Sequence, residues 1–149
     1  MIILDKLPLC PSQNAQLTMS FKQKRFIKTS KARDFDNEMF NYSIKFNKII
    51  ENAKNWINPK DILKVDCYFV FHKSRLISQK KELKRIDSDN RLKSTRDAIS
   101  KLLDYDDKYF VTGIVERCYC EDIKDEQAIV IITKSSLKSY DDLKERFKL

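Results

Sequence analysis

Between Asp87 and Asp106-Asp107 the chain spells out a helix whose two sides make opposite demands. Leu92, Ile99, Leu102 and Leu103 recur at helical spacing and form a stripe that has to be buried. Asp89, Lys93 and Asp97 are four apart and share another face of the same helix. Asp87 falls just before it, where unpaired backbone N–H groups and the helix dipole favour negative charge. A fold for this chain must therefore press one side of the helix onto a core and leave an acidic side open, with Asp106-Asp107 following its end. On its own, Asp87-x-Asp89 is the pattern of a helix cap. Carboxylates gathered along the whole stretch, together with a lysine, can hold a hard divalent cation.

The rest of the chain sets bounds on what such a site serves. A length of 149 residues suits one domain, 1–149, and 42% hydrophobic residues supply one core. Nine Phe, six Tyr and one Trp argue against disorder. Thirty basic against 22 acidic residues leave a formal net charge of +8, which favours a polyanionic partner such as nucleic acid. The single glycine, Gly113, excludes a glycine-rich phosphate loop. Cys10, Cys67, Cys118 and Cys120 form no C-x-x-C pair, and His72 alone cannot complete a usual zinc quartet. Reduced thiols are expected, as in a cytoplasmic protein. No apolar run is long enough to span a membrane, and Met1-Ile2-Ile3-Leu4 meets Asp5 at once, so no leader is expected.

Along the chain, residues 2–9 read as a strand ended by the turn Pro11-Ser12-Gln13-Asn14. Residues 17–31 interleave Lys22, Lys24, Arg25, Lys28 and Lys31 with Phe21, Phe26 and Ile27. They read as a loop or hairpin, and as a basic arm able to follow phosphates with aromatics for stacking. Phe35, Met39, Tyr42, Phe46, Ile49, Ala53 and Trp56 predict one amphipathic helix of about 25 residues, started by Ser30 or Asp34 and ended at Asn58-Pro59. That exceeds the mean of about 11–12 residues, so part of it is expected to pack on a second copy of the chain. Val65, Cys67, Phe69 and Phe71 alternate as a strand, and His72 at its end reads as structural.

A polar connection then carries Lys73, Arg75, Lys80, Lys81, Lys84 and Arg85, read as a mobile loop that brings positive charge to the rim of the acidic site. Strands over 109–119 and 128–133 are expected to pair as an antiparallel hairpin. Ser139-x-x-Asp142 predicts a capped terminal helix in an extension, residues 135–149. This order of elements predicts an α+β (mixed α/β) domain: two main helices on a small mixed sheet, plus a short C-terminal helix.

The acidic string reads D-x-D-N-x-x-K-x-x-x-D-A-I and then D-D. Through Asp87, Asp89, Asn90, Lys93, Asp97, Ala98 and Asp106-Asp107 it resembles the RusA-type Holliday junction resolvases, small endodeoxyribonucleases of bacteria and their phages. The opening Leu7-Pro8-Leu9-Cys10-Pro11-Ser12-Gln13-Asn14 is similar to that family's first strand and P-S-x-N turn, and the tail looks like an addition to the family pattern. The resemblance implies a four-way DNA junction as substrate and a homodimer, whose two equivalent sites match paired symmetric nicks.

On this reading Asp87, Asp89 and Asp107 or Asp106 bind Mg²⁺ (Mn²⁺ as a substitute), and Lys93 faces the reacting phosphate. Asn90 and Asp97 support them, and Lys22, Lys24, Arg25, Lys28, Lys73, Arg75, Lys84 and Arg85 bind DNA. Two other readings stay open: a non-catalytic basic nucleic-acid-binding module, and a metal-dependent nuclease for other branched DNA. Lys93 also has a plain reading as an i,i+4 salt bridge with Asp89 or Asp97.

Overall fold

The computed structural model describes residues 1–12, 15–20, 24–84, 86 and 88–147; of residues 88–90, 112, 140, 143 and 147 it describes the backbone alone. Strand β4, Ile62–His72, is its axis. Leu63, Val65, Cys67, Phe69 and Phe71 point to one side of it and are fully buried, as the alternating pattern requires. Two neighbours flank β4. The strand β6, Gln127–Ser135, pairs with it antiparallel, and β5, Phe110–Cys120, pairs with it parallel. The first strand, β1 (Ile2–Leu7), lies antiparallel on the far side of β6, giving the sheet order β1-β6-β4-β5. The mixed sheet with its helices is the α+β class that the sequence predicts.

The expected hairpin between the last two strands does not form: β4 separates them. Burial explains the order. Ala128, Val130 and Ile132 of β6 are buried and its alternate residues are half-covered, which suits an interior strand. Exposed Glu116, Arg117 and Tyr119 make β5 tolerable at an edge. Parallel strands need a crossover, and residues 73–109 provide it, carrying α4, Ser88–Leu103, over the sheet. Ile99 and Leu103 are buried and Leu92 and Leu102 partly so, which confirms the predicted stripe.

The single long helix is in fact two, α1 over Ser30–Lys45 and α2 over Asn47–Trp56. Phe46 (φ −113°, ψ 24°) leaves the helical region between them, and the Asn47 side chain accepts a hydrogen bond from the Lys48 amide, the local competition that disfavours Asn inside helices. The break shifts the phase by one residue, so Ile50 is buried where Ile49 was expected. Thr29, not Ser30 or Asp34, caps α1 by accepting from the Ala32 amide. Helices of 16 and 10 residues are ordinary, so helix length gives no reason for a second copy.

The basic arm is a hairpin, β2 (Leu17–Ser20) against β3 (Arg25–Lys28). The basic connection after β4 is not a featureless loop: it has one helical turn, α3 (Lys73–Leu76), with Leu76 buried, and an Ile77–Leu83 bridge. The terminal helix α5 spans Tyr140–Phe147, and its capping box is reciprocal, Ser139 N to Asp142 at 2.8 Å and Asp142 N to Ser139 Oγ at 3.1 Å. No helix among the described residues is long and apolar enough to cross a membrane.

Candidate active site

The exposed flank of α4 opens on a depression of about 300 Å³ lined by Leu92, Lys93, Arg96, Asp97 and Asp107. Four of these come from the helix and one from the turn that leads into β5. Lys93 and Asp97 stand one helical turn apart and are exposed. Asp107 joins them because the crossover returns the chain beside its own helix. Among the described residues, Lys93, Asp97 and Asp107 take part in no ion pair. Asp87 and the side chains of Asp89 and Asn90 lie outside the described residues, so Lys93 is not tested against Asp89.

Asp106 and Asp107 differ sharply in role. The Asp106 carboxylate caps the turn over Asp107–Tyr109, accepting from the Lys108 amide at 3.0 Å, and pairs with Lys108 Nζ at 2.6 Å. The hydrogen bond from the Lys108 side chain, aided by that from its amide, lowers the Asp106 pKa below its ordinary value. Among the described residues the Asp107 carboxylate has no ion pair, and Asp107 lines the depression.

In the sequence Arg96 reads as one more charge on an exposed helix. In the structure its Nη2 donates to Phe110 O at 2.7 Å and Asp107 O at 3.2 Å, and its guanidinium lies 5.9 Å from the centroid of the Phe110 ring. Gln16 and Ser94 were missed as well. The Gln16 amide donates to Ser94 Oγ on α4, and Arg91 donates to Cys10 O, so the loop after β1 is fastened to the helix. Thr29 N then binds Gln16 O at 2.8 Å and Thr29 Oγ1 binds Ala15 O at 2.6 Å. These bonds set the β2–β3 hairpin beside α4, one residue from Lys93. A larger cleft of about 640 Å³ runs between hairpin, α1, α2 and α4 and shares Asp97 with the depression.

The predicted DNA-binding cations are less uniform than their charge implies. Lys73 pairs with Glu121 and Arg75 with Glu126, each at 2.7 Å, and the hydrogen bond that Lys73 donates to Glu121 raises the Lys73 pKa. Lys28 pairs with Asp36, and Lys84 donates to Ser74 O. Lys24 is exposed with no ion pair among the described residues, and Arg25 is exposed on β3. Lys22 and Arg85 lie outside the described residues. His72 is held at its strand end, Nδ1 2.7 Å from Ser74 Oγ and Nε2 3.1 Å from Glu121 O, in keeping with a structural role.

Fold and depression together define a basic α+β protein that sets a lysine and a carboxylate on a crossover helix beside a second carboxylate from the turn that follows. The family model described as Endodeoxyribonuclease RusA matches residues 8–133, most of the chain, and the chain belongs to that family. It is therefore an endodeoxyribonuclease, a hydrolase of DNA phosphodiester bonds of the Holliday junction resolvase type. Residues 134–149, with α5, lie beyond the match. No individually curated protein matches the chain.

Proposed function

We propose that this chain resolves four-way DNA junctions by paired symmetric nicks, dependent on Mg²⁺ with Mn²⁺ as a substitute, and that it acts as a homodimer. The observation that carries the reading is the meeting of Asp107, from the turn before β5, with Lys93 and Asp97 of α4 in one open depression. Oxygen donors without lysine partners are what Mg²⁺ selects, and Asp107 meets that condition where Asp106 does not. Among the described residues no three His, Cys, Asp or Glu side chains form a ligand set, so Asp87 and Asp89 are needed to complete one.

When bound, the cation would polarise the scissile phosphate and lower the pKa of the attacking water. Lys93 supplies a positive charge where the phosphate gains negative charge, and Asp97 and Asn90 support the constellation. The β2–β3 hairpin and the basic connection after β4 guide the DNA backbone to it. Two-fold assembly gives two equivalent sites for a nearly two-fold junction. The chain works as a single domain with residues 135–149 as an appendage. Four unpaired cysteines support a reducing compartment, the cytoplasm of a bacterium or phage-infected host.

The test is nicking of a labelled synthetic junction. Asp87→Asn, Asp89→Asn and Asp107→Asn should each cut the rate on the order of 100-fold or more while leaving binding in EDTA intact. Asp106→Asn keeps a side chain that caps the turn as well as aspartate and gives up only the exposed pair with Lys108, so nicking should stay nearly normal. Lys93→Ala should bind and cleave slowly. Normal nicking by Asp89→Asn would refute the metal assignment, and equal losses at Asp106 and Asp107 would refute the division between them.

A further inference from the structure

We infer that Arg96 is a positioning residue, the clamp that fixes Asp107 opposite Lys93 and Asp97; this rests on the reading of Asp107 as a ligand. The turn bearing Asp107 reaches the site from another element, so its placement depends on what fastens it to α4. Cap bonds within the turn set its shape but not its distance from the helix. Arg96 sets that distance. One nitrogen of its guanidinium bonds the carbonyls at both ends of the turn, Asp107 O at 3.2 Å and Phe110 O at 2.7 Å. The cation lies 5.9 Å from the centroid of the Phe110 ring, whose side chain is buried in the core. The clamp is thus anchored in the part of the molecule least free to shift. A planar, always charged guanidinium suits this task, and the compact ammonium of lysine does not reproduce its shape.

Two variants separate positioning from charge and from plain stability. Arg96→Gln removes the guanidinium and its charge, and Arg96→Lys keeps the charge. Mn²⁺ binding to the metal-free protein is followed by electron paramagnetic resonance, together with junction binding in EDTA, nicking rate and Tm. Arg96→Gln should weaken Mn²⁺ binding about 10- to 100-fold, as loss of a residue that orients a ligand does, with junction affinity in EDTA unchanged. Arg96→Lys should recover less than half of that loss. In an Asp107→Asn background, Arg96→Gln should change Mn²⁺ affinity by less than about twofold, because the residue through which it acts is already gone.

A lower Tm with unchanged Mn²⁺ affinity in the folded fraction would overturn the inference, as would weaker junction binding in EDTA rescued by Arg96→Lys, which marks a phosphate contact. If the unmutated protein binds no Mn²⁺, the ligand reading of Asp107 fails first and the clamp fails with it; if the unmutated protein binds Mn²⁺ and only the variants behave normally, the clamp alone fails.

Discussion

Adjacent residues of one type can be set in different surroundings by the contacts of one neighbour. Asp106 and Asp107 are indistinguishable as letters, yet the Lys108 amide and ammonium commit Asp106 to its turn and leave Asp107 facing the depression. The cysteines make a related point about burial. Desolvation pushes the Cys67 thiol up to about 12 and Cys10 up to about 11, from an ordinary 9.0. Below pH 9 both the folded and unfolded chains keep these protons, and the full stability is present. Above it the unfolded chain loses them first, so stability falls from about pH 9 and goes on falling to about pH 12, each unit of pKa difference being worth about 1.4 kcal/mol. Urea midpoints measured from pH 7 to 11 should therefore decline, and Cys67→Ala, though less stable at pH 7, should decline less steeply. Parallel slopes for the two proteins would contradict the assignment.

At the scale of elements, the edge strand β5 joins β4 through a local irregularity. Between Val65 and Cys67 the partner strand advances from Thr112 to Val115, one residue too many for a regular ladder, and this is a bulge. The buried Asp66 enters it: Oδ1 accepts from the Ile114 amide at 2.6 Å and Oδ2 pairs with Lys64 at 3.0 Å. The one glycine of the chain stands there for room, since a Cβ on Gly113 would lie 1.7 Å from Asp66 Oδ1. Gly113→Ala must displace a carboxylate that satisfies a backbone donor, and should cost about 1–3 kcal/mol, read as a lower urea midpoint. An unchanged midpoint would show that Asp66 moves aside freely. Because β5 begins where Arg96 grips Phe110, the same change tests whether disorder in this strand reaches the site.

For the whole molecule, a net charge of +8 is a statement about encounter with a polyanion, and ion pairing decides which cations are available for it. Junction affinity should fall with salt, and Lys24→Ala should reduce the slope of log K against log salt by about 1. Lys73→Ala should reduce it by clearly less, since Glu121 already holds that ammonium at 2.7 Å. Titration of binding in EDTA at several salt concentrations reads both. Equal reductions would mean that DNA draws Lys73 away from Glu121.

Periodicity made the strands, the stripe of α4 and the capped terminal helix legible, because alternation and three-to-four spacing are local consequences of burying one side. The acidic string was legible as residue types at fixed spacing, and the family likeness was read from that string and from the opening turn. Which strands pair was not: β5 and β6 are close in sequence, but the strand able to lie buried between two others took the centre. Nor could spacing show the break at Phe46, where one backbone step moves every later residue round the helix. The engagement of Asp106 with Lys108 and the grip of Arg96 on Phe110 depend on which carbonyls and amides come within about 3 Å after the crossover closes. Local pattern determines which side of each element seeks the core; only the packed chain decides what each polar group finds on the other side.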